Sequence, residues 1–243
     1  MTAPERAAEP LDLDAFDVLT FDCYGTLIDW ERGILDTLHG RIGDRLSGIE
    51  DQRLLESFGR HEADTEAGTY RRYRDVLGAT LHALGQELGF VVNAAEMAAF
   101  GGSVGDWPAF PDTVDALVRL KAKYRLGVIT NCDDDLFAAT NRRLGVSFDM
   151  IVTAQQAQSY KPSEHNFELA FERLGVPRSR ILHVAQSLFH DHVVARRLGL
   201  RSVWVDRRGD RSGWGATPVA DAAPDLTVPD MRTLADLATG PRP

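Results

Sequence analysis

The pattern of apolar and polar positions along the chain changes near residue 107. Residues 17–21 (DVLTF) form a short, β-rich apolar run that ends in a glycine-containing turn, which is typical of a buried strand. From residue 30 to about residue 102 the apolar positions recur at helical spacing instead, with Gly, Asn and Asp at the breaks. We therefore predict one strand followed by four helices, over about 31–46, 50–67, 70–89 and 93–101.

Strands and helices alternate after a proline-punctuated linker at 107–111. Asp112 is the expected N-cap of the first helix beyond it, and a last short strand and a helix close the chain. Alternation of this kind predicts a parallel α/β sheet with helices on both faces, to which the first strand also belongs. The helical block is then an insertion after the first strand. The predicted strands are 125–130, 148–153, 181–185 and 202–206, and the predicted helices are 113–123, 134–144, 163–174 and 191–198.

Composition narrows the class of protein. Of the 243 residues, 44% are hydrophobic and 26% are charged, which excludes a disordered chain, a collagen-like chain and a coiled-coil rod. The net charge of −9 argues against a nucleic-acid partner, and no apolar run approaches the ~20 residues of a membrane span. We expect a small-molecule substrate, no membrane partner and, as a base-rate expectation only, a homodimer. The first ten residues lack the apolar segment of a secretory signal, so we expect a disordered tail and a cytoplasmic protein.

Polar residues follow the predicted strands at the points where those strands end. The carboxyl ends of parallel strands lie at one edge of a sheet, and ligands bind there. A carboxylate, a hydroxyl, an amide, a lysine and a second carboxylate therefore converge on one edge, which is a pattern that we expect of a catalytic site. These residues are Asp22, Thr130, Asn131, Lys161, Gln186, Ser187 and Asp191.

Three motifs carry a resemblance to a known family. The segment FDCYGTLID at 21–29 is highly specific, and the TN at 130–131 and the YKP at 160–162 follow in the right order. Over about residues 15–237 the chain resembles the haloacid dehalogenase superfamily. The resemblance implies a Rossmann-like core, formed by residues 1–29 and 107–243, and a helical cap domain at 30–106. It also implies that Asp22 is a nucleophile.

Two departures from the superfamily's phosphatases favour its hydrolytic 2-haloacid dehalogenases. In the superfamily's phosphatases an Asp protonates the leaving alkoxide, and this chain has Tyr24 at that position. A Tyr of pKa ~10 is a poor acid for that step. Gln186 stands where they carry an Asp that binds Mg²⁺, and a neutral amide weakens such a site. A halide leaves without being protonated. We therefore expect a metal-independent enzyme without a cofactor, with Mg²⁺ as the alternative.

The resemblance implies catalytic roles for four residues, which are Asp22, Thr26, Lys161 and Asp191. Asp22 would displace the halide of a short 2-haloacid and form an ester, which water then hydrolyses. Lys161 would keep Asp22 ionised and help to hold the substrate carboxylate or the developing oxyanion. Thr26 and Thr130 would hydrogen-bond the acid groups, and Asp191 would orient Lys161 or the hydrolytic water.

The resemblance also implies which residues bind the substrate. Asn131 would bind its carboxylate or the halide, and Tyr24 would wall off a small apolar pocket. An arginine of the cap is expected near the halide, and the sequence leaves Arg53 and Arg60 open. The full set of substrate-binding candidates is Tyr24, Thr130, Asn131, Gln186, Ser187 and Arg60.

Other positions keep alternative functions open. Leu188 replaces an Asn and Phe167 replaces a Tyr of the best-known dehalogenases. One alternative is a phosphatase of a small phosphorylated metabolite, with Mg²⁺ held by Asp22 and Asp191, and another is a catalytically weak binding protein on the same fold. His190 is a further candidate for lining the site. The Arg- and Gly-rich segment 207–213 is predicted to be a solvated loop.

Overall fold

The computed structural model describes residues 11–240, so the expected N-terminal tail lies outside the described residues. Six strands form one parallel sheet in the order β3-β2-β1-β4-β5-β6. This is the strand order of a Rossmann-like fold, and it confirms the predicted α/β class. The strands are β1 (Val18–Phe21), β2 (Arg125–Thr130), β3 (Met150–Thr153), β4 (Ile181–Ala185), β5 (Arg201–Val205) and β6 (Leu226–Val228).

Four helices lie between β1 and the linker, as predicted, and six follow the linker. Three short elements after the linker were not predicted: the helix α7, a 3₁₀ turn at Arg178–Arg180, and a π-helical turn at Leu188–His192 that overlaps the start of the helix expected at 191–198. The helices are α1 (Trp30–Ile42), α2 (Asp51–Glu66), α3 (Tyr73–Leu88), α4 (Ala94–Gly101), α5 (Thr113–Lys121), α6 (Asp134–Leu144), α7 (Ala154–Ala157), α8 (Glu164–Leu174), α9 (Val193–Arg197) and α10 (Met231–Thr239). No helix among residues 11–240 is both long and apolar enough to cross a membrane.

Strand β1 lies in the middle of the sheet, between β2 and β4, and all four of its side chains are buried, as expected of a parallel sheet that is covered on both faces. Val18 of β1 pairs with Arg125 of β2 and with Ile181 of β4. On one side of β1, the strands β2 and β3 extend to one edge of the sheet. On the other side, β4, β5 and β6 extend to the opposite edge. The residue after β1 therefore lies at the point where the strand order reverses, which is where this fold binds its ligands.

The helical insertion shares a hydrophobic core with the sheet. One cluster of buried side chains includes Leu19 and Phe21 of β1 together with Phe58 of α2 and Leu77 of α3. The insertion thus packs directly over the carboxyl edge of the sheet. The division into a core of 1–29 and 107–243 and a cap of 30–106 stays a prediction.

The segment after β5 is anchored to both parts of the molecule. The Arg207 guanidinium donates to both carboxylate oxygens of Asp112, at 2.8 and 3.0 Å, and Arg208 donates to Glu31 of α1 at 2.6 and 2.7 Å. Both arginine side chains are largely buried. The prediction of a solvated loop was therefore wrong at its first two residues, because each arginine has a buried carboxylate partner.

Asp112 precedes α5, but its side chain does not cap that helix. The Asp112 carboxylate accepts a hydrogen bond from the backbone N–H of Met231, at 2.7 Å, at the start of α10. The expected N-cap bond is absent because this carboxylate is committed to Arg207 and to a helix distant in sequence. Asp112 therefore joins α10 to the segment after β5.

Candidate active site

Asp22 is the first residue after β1, and a tight turn directs its side chain to the carboxyl edge of the sheet. The Asp22 N–H donates to the Val184 carbonyl of β4 at 3.1 Å, which extends the sheet pairing by one residue. Gly25 has φ +94°, a conformation that favours glycine. A Cβ at Gly25 would also lie 3.0 Å from Gln186 Oε1 and 3.1 Å from Trp30 Nε1. Both the backbone angle and the space require glycine in this turn.

Both oxygens of the Asp22 carboxylate have a fixed donor. Lys161 Nζ donates to Asp22 Oδ1 at 2.8 Å, and Thr26 Oγ1 donates to Asp22 Oδ2 at 2.7 Å. The Thr26 hydroxyl is itself oriented by the Gln186 N–H, which donates to it at 2.9 Å. Burial raises the pKa of Asp22, whereas the Lys161 ammonium and the Thr26 hydroxyl oppose that rise.

Lys161 joins two buried carboxylates. Its ammonium also donates to Asp191 Oδ1, at 2.7 Å, and its side chain is only 1% exposed. Burial alone would lower the pKa of Lys161, but the charges of Asp191 and Asp22 raise it above its usual value. Burial favours the protonated form of Asp191, but Lys161 and His183 outweigh it and hold the Asp191 pKa below its usual range. The cluster therefore contains a permanently charged ammonium.

Asn131 positions Lys161 through the backbone. Asn131 Oδ1 accepts from the Lys161 N–H at 2.7 Å, and Asn131 Nδ2 donates to the Lys161 carbonyl at 3.1 Å. The same Nδ2 donates to Glu66 Oε2 at 3.2 Å. Asn131 therefore links the lysine to the helical insertion.

A small cavity of about 30 Å³ lies over this cluster, between the sheet edge and the insertion. A water molecule needs roughly 10–15 Å³ measured in this way, so the cavity admits only a small ligand. The sheet side contributes Asp22, Asn131, Lys161, Ser187 and His190 to its lining.

Two glutamates of α2 line the same cavity from the insertion. The Glu62 carboxylate accepts from Tyr73 Oη at 2.7 Å, and burial raises the pKa of Glu62 to about 8. Burial and the neighbouring Glu62 raise the pKa of Glu66 well above its usual value. This pair was not among the predicted site residues. Its signal is the spacing Phe58, Glu62, Glu66, which continues the buried stripe of α2 with two carboxyls.

His190 belongs to the π-helical turn after β4. Ser187 Oγ accepts from the His190 N–H at 2.9 Å and lies 3.0 Å from His190 Nδ1. The other ring nitrogen, Nε2, is buried, has no hydrogen-bond partner among residues 11–240, and lies 3.9 Å from Glu66 Oε2. Burial lowers the pKa of His190 to about 4, so the ring is neutral at pH 7.

Tyr24 lies at the cavity as its expected role requires, whereas two other predicted residues, Thr130 and Gln186, lie where their expected roles would not place them. The Tyr24 ring lines the cavity, but its hydroxyl is bonded to Thr140 at 2.9 Å and accepts from Cys132. Thr130 is buried, and its hydroxyl has no partner within the described chain. The Gln186 side chain lies beside Gly25, away from the cavity over Asp22.

The structure does not bring a cap arginine to the site. Arg60 is exposed and donates to Ser57 Oγ and Glu87 Oε1, both at 3.0 Å. Arg53 is also exposed. Both project from α2 away from the stripe that carries Glu62 and Glu66 into the cavity. The positions of these residues along α2 therefore place carboxyl groups, and not guanidinium groups, on the side of the cavity that α2 forms.

The donor groups at the site do not fit Mg²⁺. Among residues 11–240 there is no group of three or more His, Cys, Asp or Glu side chains that could hold a metal ion. The oxygens of Asp22 and Asp191 that face each other are bridged by the Lys161 ammonium. Mg²⁺ prefers oxygen ligands in a near-octahedral arrangement, and this space between the carboxylates already contains a fixed cation.

Comparisons with known proteins agree with this architecture. The (S)-2-haloacid dehalogenase of Pseudomonas fluorescens is 27% identical over 224 residues, which are 90% of this chain and 93% of that protein. The structure of the L-2-haloacid dehalogenase from Xanthobacter autotrophicus with chloropropionic acid covalently bound has a TM-score of 0.77 at 20% identity, over 93% of this chain and 99% of that one. The magnesium-bound HAD-hydrolase YfnB from Bacillus subtilis has a TM-score of 0.73 at 18% identity, over 92% and 98%.

Family models decide the assignment. The model described as haloacid dehalogenase-like hydrolase matches residues 16–188, which include Asp22, Lys161 and the whole helical insertion. A second HAD-like hydrolase model matches residues 160–234. Together they extend from the first strand to the start of the last helix. The chain belongs to the haloacid dehalogenase-like hydrolases.

Proposed function

We propose that this protein hydrolyses the carbon–halogen bond of a short organic halide, with 2-haloacids as the first class to test, through an ester formed on Asp22. The observation that carries the proposal is the Asp22 carboxylate, which faces a small cavity while Lys161 and Thr26 each hold one of its oxygens. The names of the full-length relatives, which are (S)-2-haloacid dehalogenases, support the same chemistry.

The first step is an in-line displacement. One Asp22 oxygen attacks the halogen-bearing carbon, an ester bond forms, and the halide leaves with the electron pair of the carbon–halogen bond. Lys161 lets Asp22 act as a carboxylate despite its burial. The hydroxyl of Tyr24 is engaged by Thr140, so the turn presents no acid to a leaving group. A halide needs none.

The second step regenerates the carboxylate. Water adds to the Asp22 ester carbonyl, the alcohol product leaves, and one proton is released overall with the halide. Asp191 Oδ2 is buried and has no hydrogen-bond partner in the described chain, so it is one acceptor available to orient that water. Asp191 also keeps Lys161 in place beside the developing oxyanion.

The two alternatives have less support. A Mg²⁺-dependent phosphatase would need an acid near the leaving group and a metal between the two carboxylates, where Lys161 lies. A catalytically weak binding protein is motivated by Leu188 and Phe167. Phe167, however, is fully buried against the ring of His183, at 5.1 Å between centroids, so it supports the cluster below the cavity.

Halide release tests the proposal. Chloroacetate and 2-chloropropionate are supplied with EDTA, and we expect release by the wild type and by Asp210→Asn, an exposed control, but not by Asp22→Asn. In a single turnover in H₂¹⁸O, mass spectrometry should find the label in the Asp22 peptide, because water attacks the ester carbonyl. Label in the product alone would contradict an Asp22 ester. If the haloacids release no halide, but a phosphate ester supplied with Mg²⁺ in place of EDTA releases phosphate, the result would favour the phosphatase.

A further inference from the structure

The cavity over Asp22 has an excess of acidic groups. Of the described residues that line it, Asp22, Glu62 and Glu66 carry carboxyls, and Lys161 is the one lysine or arginine. Lys161 is shared between Asp22 and Asp191, which leaves one negative charge over before either glutamate ionises. A substrate carboxylate would add a second buried charge of the same sign, and Arg53 and Arg60 lie outside the cavity.

The two glutamates are held in place by polar neighbours. Tyr73 Oη donates to Glu62, and Asn131 Nδ2 donates to Glu66 Oε2. Neither glutamate forms an ion pair with a lysine or arginine among residues 11–240. The Lys161 charge acts on Glu66 without contacting it, and the neighbouring His190 is neutral at pH 7. Buried carboxyls that are oriented in this way and left without a cation are expensive unless a ligand pairs with them.

A second observation in the same cavity indicates a missing ligand. His190 is 8% exposed, lines the cavity, and its Nε2 has no hydrogen-bond partner in the described chain. In the tautomer in which Nδ1–H donates to the Ser187 hydroxyl, Nε2 is available as a hydrogen-bond acceptor. A donor group bound between Glu66 and His190 would satisfy this nitrogen and a carboxylate oxygen together.

A positively charged donor meets these requirements better than an anion. An ammonium group has three N–H donors and no acceptor, which matches two carboxyls and one ring nitrogen. Its charge would let a glutamate ionise on binding, which offsets the burial that raises the pKa values of Glu62 and Glu66. A carboxylate ligand would instead repel both glutamates once they ionise.

We propose that Glu62 and Glu66 bind a primary ammonium group of the substrate, so that the substrate is a short organic halide that carries an amine. The identity of the leaving group rests on the proposed function, whereas the ammonium subsite does not. Arg60, the residue expected to attract an anion, is bound to Glu87 on the outer face of α2.

Calorimetric titration of unreactive ions tests the subsite by itself. The wild type is titrated with propylammonium chloride and with sodium acetate at pH 7.5 and constant ionic strength. We expect propylammonium to bind more tightly than acetate, and Glu66→Gln to weaken propylammonium binding at least tenfold without weakening acetate binding. Glu62→Gln should have the same effect, and it provides the test if Glu66→Gln does not fold. Glu168→Gln, an exposed glutamate on α8, is the matched control and should bind both ions as the wild type does.

Two results overturn the subsite: acetate that binds more tightly than propylammonium, or propylammonium binding that survives in both glutamate variants. A turnover arm separates this proposal from the proposed function. We expect a higher kcat/KM for halide release from 2-chloroethylammonium than from chloroacetate. Halide release that favours chloroacetate also counts against the subsite. No release from either compound, with propylammonium binding lost in Glu66→Gln, would overturn the proposed chemistry and leave the subsite standing.

Discussion

At the scale of single residues, the Lys161 ammonium is the positive charge that offsets the buried carboxylates of the site. Its ammonium contacts two carboxylates, Asp22 and Asp191, and all three groups are nearly inaccessible to water. Removing one member of a buried ionic cluster leaves the others without a partner, which costs more than the cluster contributes as a whole. The stability of the protein and its activity therefore depend on the same side chain.

Replacement of Lys161 by methionine should show both effects. We expect Lys161→Met to lower the free energy of unfolding by about 3–5 kcal/mol, because two buried carboxylates lose their cation. Halide release should fall at least a hundredfold, of the order seen when one charge-stabilising group is removed. Lys121→Met is the control, since Lys121 forms a partly exposed pair with Asp149 worth at most about 1 kcal/mol. Urea unfolding and halide assays check both; equal effects of the two variants would refute the claim.

Gly25 offers a second test at this scale. Gly25→Ala imposes a positive φ on alanine, at a cost of about 1 kcal/mol, and places a methyl group against Gln186 and Trp30. Gly145, which ends α6, also has positive φ but open space around it, so Gly145→Ala isolates the backbone cost. We expect both variants to lose stability in urea, but only Gly25→Ala to lose kcat. A normal kcat in Gly25→Ala would mean that the turn does not position Asp22.

At the scale of helices and strands, contact between the insertion and the core depends on close backbone approach. A Cβ at Gly59, in the middle of α2, would lie 2.3 Å from the Ala216 carbonyl oxygen in the segment after β5. A Cβ at Gly78, in the middle of α3, would meet only ordinary contacts at 3.5 Å or more. We therefore expect Gly→Ala at these two positions, on neighbouring helices, to change the free energy of unfolding in opposite directions.

We expect Gly59→Ala to lower the melting temperature and the free energy of unfolding, by about 1–3 kcal/mol, because α2 must move away from Ala216. Gly78→Ala should raise the free energy of unfolding by about 0.5–1 kcal/mol through helix propensity. Thermal and urea unfolding of the two variants compare these values directly. Stabilisation in both variants would show that the segment after β5 does not pack tightly on α2.

The elements were predictable from sequence where local pattern decides structure. β1 and the turn through Gly25 follow from an apolar run and a glycine, and Asp22, Lys161 and Asp191 meet because they lie at strand ends of one parallel sheet. The π-helical turn was not predictable, because neither its backbone hydrogen bond from the Val193 N–H to the Leu188 carbonyl nor the Ser187 side-chain cap follows from apolar spacing.

The residues of the cavity wall were harder to predict than those of the sheet edge. A carboxylate on a helix usually faces solvent, so Glu62 and Glu66 read as surface residues until α2 is placed over the sheet. The N-cap hydrogen bond expected of the Asp112 side chain is absent for a related reason, since its partner Arg207 lies 95 positions away in the sequence. Sequence spacing predicts contacts within an element, but long-range polar pairing depends on how the elements pack.

At the scale of the whole molecule, buried ionisable groups determine how stability varies with pH. His190 and His192 have folded pKa values lowered to about 4 by burial, and they bind protons more readily when the chain unfolds. Each therefore stabilises the fold above about pH 6.5, and that contribution is lost as the pH falls toward 4. Glu62, with its pKa raised to about 8, has the opposite effect: it stabilises the fold below about pH 4.5, and the contribution is lost as the pH rises toward 8.

Between pH 6.5 and 8 the two histidines gain only the last part of their contribution, about 0.4 kcal/mol each, so the glutamates govern the change. We expect the free energy of unfolding to fall by about 1.5 kcal/mol across this window from Glu62 alone, because one proton difference corresponds to about 1.4 kcal/mol per pH unit and the difference falls to one half at pH 8. Glu62→Gln should flatten the decline, whereas Glu168→Gln, which changes an exposed carboxylate, should keep it. Urea unfolding of the three proteins at pH 6.5, 7.25 and 8 measures the slope. If the free energy of unfolding of the wild type rises over this window, Glu62 is already ionised at pH 6.5. A positive charge that is absent from the described cavity lining would then offset the cost of burying its carboxylate.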